Sequence, residues 1–180
     1  MNWRKYIKDG RLILPAGFNE DLNCWNNNLT ELVLPEGFNS KLNCSDNKLT
    51  KLILPSGFNS ELICYENNLT ELQLPDGFNN ELICSNNKLT ELVLPEGFNN
   101  SLIIWNNKIT EIVLPKGFCQ NELRFDCDNQ DLIKIKDCMC QHNLDYFEAG
   151  YKICNRLDLT KLPKLMTYIR NKRINEILEI

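Results

Sequence analysis

The sequence predicts a solenoid of stacked 20-residue coils, with a parallel β-sheet running along one side. Three observations carry that prediction. The pattern LxLPxGFNxxLxCxxNxLTE recurs every 20 residues, without insertion, from Leu12 to about Gly117. Such a short fixed period means repeated units that stack on one another. Inside each unit a Leu-x-Cys run, as at Leu22-Asn-Cys24, alternates inward and outward as a short strand does. A period of 20 has no room for a strand plus a full helix, so the return path must be compact.

Each element of the unit follows from its residues. Leu22 and Cys24 point inward, and Asp21, Asn23 and Trp25 take the opposite face. The return segment Leu32-x-Leu34-Pro35-x-Gly37 is extended, then bent by proline, then passed through a glycine able to adopt positive φ. The back is therefore expected to be extended or 3₁₀. Asn27, Asn47, Asn67, Asn87 and Asn107 recur just after the strands, where a planar amide can satisfy turn backbone, and are expected to form a stacked amide ladder. One unit buries too few apolar side chains to offset the chain entropy of ordering it, so stability has to come from the interfaces between units.

Composition excludes several classes. With 43% hydrophobic residues in 180, the chain can bury a continuous core. A net charge of −4 gives no global basic field, so nucleic acid is not an expected partner. Residues 16–116 carry 13 acids against 6 bases, whereas residues 1–15 carry 4 bases against 1 acid. The first residues contain no apolar signal-like run, and no stretch approaches the ~18 apolar residues of a membrane span. Cys24, Cys44, Cys64 and Cys84 share one inward repeat position, and the total of nine is odd. Both facts favour free core thiols in a reducing, cytoplasmic compartment.

The run Leu-x-Cys-x-x-Asn-x-Leu, repeated in register, resembles the leucine-rich-repeat signature Leu-x-Leu-x-x-Asn-x-Leu. The resemblance covers about 110 residues, and the repeat length with its Leu-Thr-x-Leu-x-Leu-Pro tail is most similar to the short bacterial-effector class. The Gly-Phe-Asn element also resembles repeats of amoebal and giant-virus proteins, which would place such a protein in a host cytosol. The resemblance implies an α/β solenoid whose curved parallel sheet lines a concave face, and it implies macromolecular recognition. Two departures stand out. Asn19, Asn39, Asn59, Asn79 and Asn99 replace the family's first leucine, with Phe18, Phe38, Phe58, Phe78 and Phe98 filling the space one residue earlier, and cysteine replaces the middle leucine.

Positions that vary freely between units are where recognition can be written. The position after the inward cysteine reads Trp25, Ser45, Tyr65, Ser85, Trp105, and the position before it reads Asn23, Asn43, Ile63, Ile83, Ile103. Duplication of a 40-residue pair accounts for the alternation, since Lys48 and Lys88 alternate with Asn28 and Asn68 in the same way. The candidate contact residues are Trp25, Asn43, Ile63, Tyr65, Ile83, Ile103 and Trp105, rimmed by Asp46, Glu61, Glu66 and Glu81. The expected partner is a protein, and self-association as a homodimer is the alternative. A second stripe on the back, Val33, Ile53, Gln73, Val93 and Val113, suits an extended segment and needs no contact role.

Residues 1–11, with Trp3 and Tyr6, are expected to cap one end, residues 12–128 to form the repeats, and residues 129–180 to form a helical cap. The register slips by one residue near Leu123, and Pro163 sits where a helix can start. Cys119, Cys127, Cys138, Cys140, Cys154 and the single histidine, His142, fall at this end. Cys138-Met-Cys140 lacks the usual Cys-x-x-Cys hook, so no metal and no cofactor are expected. No phosphate loop and no His-Glu-x-x-His occurs, and about 60 residues beyond Phe118 are too few for the ubiquitin-ligase domain found in some effectors of this class. The chain is read as non-enzymatic.

Overall fold

The structure, a computed structural model, describes residues 2–109, 112–115, 123–124 and 133–135. The Leu-x-Cys runs form the strands of one long parallel sheet, the front sheet: β3 (Leu22–Asn23), β5 (Leu42–Asn43), β7 (Leu62–Ile63), β9 (Leu82–Ile83), β10 (Leu102–Ile103) and β12 (Leu123–Arg124). Leu22 pairs with Leu42, Leu42 with Leu62, Leu62 with Leu82 and Leu82 with Leu102, each 20 residues on. At the last junction Leu102 pairs with Leu123, 21 residues on, so the one-residue slip read from the sequence is absorbed without losing the strand.

The return segments are strands too. They comprise β2 (Arg11–Ile13), β4 (Glu31–Val33), β6 (Lys51–Ile53), β8 (Glu71–Gln73), β11 (Ile112–Leu114) and β13 (Ile133–Ile135). A short β1 (Ile7–Lys8) runs antiparallel to β2, preceded by a 3₁₀ turn over Trp3–Tyr6. Trp3, Tyr6 and Ile7 pack against the core. Unlike the front sheet, this back face falls into separate ladders, β1-β2-β4, β6-β8 and β11-β13.

The architecture is a parallel β-solenoid of 20-residue coils. The 3₁₀ turn is the only helix of any kind among the described residues, so the α/β class implied by the repeat resemblance gives way there to strands on both sides. The reason is arithmetical. Two strands, an asparagine corner and a proline–glycine turn consume the coil and leave no run in which helical hydrogen bonds could close. Strand β13 lies within residues 129–180, the range expected to be a helical cap, and the remainder of that range is outside the described residues.

The core lies between the two sheets. Each coil contributes a fully buried set such as Leu42, Cys44, Leu49, Leu52 and Phe58. Phe18, Phe38, Phe58, Phe78 and Phe98 stack down the axis with ring centroids 5.9–6.1 Å apart and planes 8–12° from parallel. Centroids farther apart than the strand spacing of about 4.8 Å mean slipped rings, the favourable parallel arrangement. The turn that delivers each phenylalanine closes with its N–H on the proline carbonyl three residues back, as from Phe38 to Pro35 at 3.1 Å. Gly37 takes φ +79° there with nothing near its missing Cβ, so the backbone conformation alone calls for glycine.

Candidate recognition face

Asparagine ties the corners at which the front strands end. Asn47 Nδ2 donates to the carbonyls of Cys24, Cys44 and Ser45, each at 3.0 Å. Its Oδ1 accepts from Asn27 N–H at 3.1 Å and Leu29 N–H at 2.8 Å. Asn67 and Asn87 repeat the three donations one and two coils later, and their Oδ1 atoms accept from Leu49 N–H and Leu69 N–H, while the N–H groups of Asn47 and Asn67 bond to the carbonyls of Glu66 and Asn86. These amides do not bond to one another. Each is used up on backbone of its own coil and the preceding one, at a corner where no strand partner exists.

A second asparagine column was missed by sequence reasoning, which saw only a departure from leucine. Asn39 N–H donates to Asn19 Oδ1 at 2.7 Å, and the same bond links Asn59 to Asn39, Asn79 to Asn59 and Asn99 to Asn79 at 2.6–2.7 Å. The signal was available: a polar residue recurring beside a buried phenylalanine in five successive units has a structural task in each.

The candidate residues are brought together as two parallel columns on the outward side of the front sheet. Asn43 is paired laterally with Ile63, Ile63 with Ile83 and Ile83 with Ile103. Two residues further along each strand runs the column Trp25, Ser45, Tyr65, Ser85, Trp105. Trp25 is 48% exposed and Trp105 40%, while Tyr65 and the three isoleucines are partly exposed. Between them Ser45 is 0% and Ser85 3% exposed. Backbone bonds from Asn26 to Ser45 and from Asp46 to Tyr65 place Ser45 between Trp25 and Tyr65, and Ser85 lies likewise between Tyr65 and Trp105. Each buried serine thus sits between two large aromatic side chains of the adjacent coils.

Polar groups border the columns. Asn43 Oδ1 accepts from the N–H and hydroxyl of Ser45, and Asn23 Oδ1 accepts from Trp25 N–H. Asp46 and Glu66 follow the aromatic column at a corner where both take positive φ, 51° and 52°. On the other border Lys41 pairs with Glu61 at 3.0 Å. The back stripe is different in kind: Ile13, Val33, Ile53 and Val93 are exposed aliphatics interrupted by Gln73, with no ring among them.

The thiols under the front sheet are not poised for chemistry. Cys24, Cys44, Cys64 and Cys84 are free and buried. Burial pushes the Cys24 and Cys84 thiols up to about 12, and holds those of Cys44 and Cys64 well above their ordinary value. They stay protonated, and the thiolate needed for nucleophilic attack is scarce. Among the described residues no group of three or more His, Cys, Asp or Glu side chains is placed to hold a metal ion, and no helix is long and apolar enough to cross a membrane. Cys119, Cys127, Cys138, Cys140, Cys154 and His142 lie outside the described residues.

Compared with protein-family models, with curated proteins and with solved structures, the chain gives no match.

Proposed function

We propose that this chain is a non-enzymatic recognition module whose contact surface is the outward side of the front sheet. The observation that carries the reading is the row of rings at Trp25, Tyr65 and Trp105, held on a rigid asparagine-tied sheet beside the Ile63–Ile83–Ile103 column. Rings already fixed in place lose little side-chain entropy when a partner arrives, which favours binding. The leucine-rich-repeat resemblance supports the same reading because such repeats usually recognise macromolecules.

Self-association is the second reading, favoured by the same exposed apolar columns, which a second copy would cover. Solution molar mass across a concentration range separates the two. The test compares the wild type with a Tyr65→Ser, Trp105→Ser double variant. Recognition of a foreign partner expects both to be monomers, with a small difference in melting temperature. A wild-type dimer that the double variant dissolves overturns it in favour of self-association.

A further inference from the structure

The spacing of the rings carries more than their exposure. They occupy alternate coils, so successive rings are about 9.6 Å apart along the stack and the outer two about 19 Å apart, taking a strand spacing of about 4.8 Å.

We infer that the front face is a platform for one extended chain of uncharged β-1,4-linked pyranose sugars, lying along the stack with alternate sugars on Trp25, Tyr65 and Trp105. The inference rests on the reading of this face as a recognition surface and names the chemistry it recognises. One coil advances by about 4.8 Å, close to the advance of one sugar in an extended β-1,4-linked chain. Alternate sugars of such a chain present the same face, so a ring is wanted on every second coil, and the three rings span about five sugars. Equatorially linked pyranoses offer flat C–H faces to aromatic planes, and the two outer rings of this row, Trp25 and Trp105, are 48% and 40% exposed. An extended peptide repeats its like-facing side chains about every 6.8 Å and falls out of step after one ring.

The border suits hydroxyl groups and excludes polyanions. The Oδ1 atoms of Asn23 and Asn43 are taken by N–H groups two residues on, which leaves their Nδ2 donors for a ligand. Asp46 and Glu66 beside the aromatic column accept hydroxyl protons and repel phosphate or carboxylate chains. The 40-residue duplication explains how a ring came to recur, and the strand spacing sets what the recurrence fits.

The experiment is calorimetric titration, with tryptophan fluorescence in parallel, of the full chain with cellohexaose, chitohexaose, cellobiose and maltohexaose. The expected result is saturable binding of a β-1,4-linked hexasaccharide, with cellobiose at least about tenfold weaker for want of length and the curved α-1,4-linked maltohexaose weaker still. Binding of the glucan, the chitin fragment or both tells which substituents at the second carbon the face accepts. Exchanging Trp25→Ser with Ser45→Trp keeps the composition and moves one ring by one coil, and should weaken binding by about tenfold or more. Tyr65→Phe, which keeps the ring, should bind as the wild type does, and melting curves confirm that both variants are folded. No saturable binding of either β-1,4-linked hexasaccharide, equal binding of maltohexaose, or an exchange variant that binds as the wild type would each overturn the inference. Failure of all sugars in a chain that remains monomeric, with a protein partner found on the same rings, removes the sugar and leaves the recognition surface standing.

Discussion

At every junction between described coils the front sheet is tied by backbone bonds, from Leu22 to Lys41, Leu42 to Glu61, Leu62 to Glu81 and Leu82 to Ser101, at 2.8–3.0 Å. Up to the coil of Leu92 the back face is tied only at alternate junctions, and beyond it β11 pairs with β13. Leu14 N–H reaches Val33 and Leu54 N–H reaches Gln73, while Leu34 and Leu74 make no such bond. The same rhythm appears in other interactions. Thr30 bonds to Gly10 and Thr70 to Thr50, with no bond from Thr50 to Thr30, and the ion pairs Arg11–Glu31 and Lys51–Glu71 fall within the tied pairs. Leu14, Leu54 and Leu94 are buried where Leu34 and Leu74 are only partly so. Over the coils from Leu12 to Leu92 one face thus counts in single coils and the other in pairs. The lesson is that a duplicated pair preserves a shared hydrogen-bonding scheme where side-chain amides enforce it, and lets it lapse where only side-chain charge links neighbouring strands.

The sharpest way to break this comparison is to shift it. Removing residues 34–53 deletes one coil and restores the front register, and should leave a cooperatively folding chain. Removing residues 34–43 puts the inward leucines out of phase and should abolish cooperative thermal unfolding. Equal melting curves for the two would refute stacking as the source of stability.

Next in size is Asn67→Ala, which strands the buried Leu49 N–H and takes from the carbonyls of Cys44 and Cys64 one of the two amide bonds each accepts, the other coming from Asn47 and Asn87. A loss of about 1–3 kcal/mol is expected in urea unfolding, the cost of one stranded buried donor. A loss below about 1 kcal/mol would mean that the front is not held by its amides.

Alkali should loosen the front from within. The folded chain keeps its thiols protonated toward 12, against an ordinary 9.0, so above pH 9 the unfolded chain binds fewer protons than the folded one. Stability is then full below pH 9 and falls as pH rises from 9 toward 12. Cys64→Ala should flatten that fall, and unfolding midpoints measured at several pH values across this window check it.

Hydrogen exchange resolves the seams. The amides of Leu34 and Leu74 should exchange faster than those of Cys44 and Cys64, which bond to Ile63 and Ile83 at 2.9 and 2.8 Å. The smallest effect belongs to the back charges. Lys51 and Glu71 are 50% and 41% exposed. Lys51→Ala should therefore cost less than about 1 kcal/mol, and less again in high salt. The Arg11 guanidinium holds the Glu31 carboxyl below its ordinary range, so that pair stabilises above the carboxyl's ordinary value and loses its effect as pH falls through the lowered one.

The period, the inward leucines and cysteines and the proline–glycine bend were legible because each is a one-dimensional signal repeated five times. The outward columns were legible for the same reason, since a fixed register converts every twentieth residue into a neighbour. Three things were not. The stacked use of Asn19 and its successors was hidden because a family comparison casts them as missing leucines. The burial of Ser45 depends on its neighbours in adjacent coils, which no single strand encodes. The pairing of back strands is a property of junctions, and the sequence of a unit describes only its interior.

The column of thiols gives the stack a built-in recorder. Cys24, Cys44, Cys64 and Cys84 sit one to a coil, equally shielded and equally unreactive while covered. A thiol reagent in excess can mark each only when its own coil parts from its neighbours. The order in which peptides carrying the four become labelled would write out, coil by coil, the sequence in which the solenoid unravels.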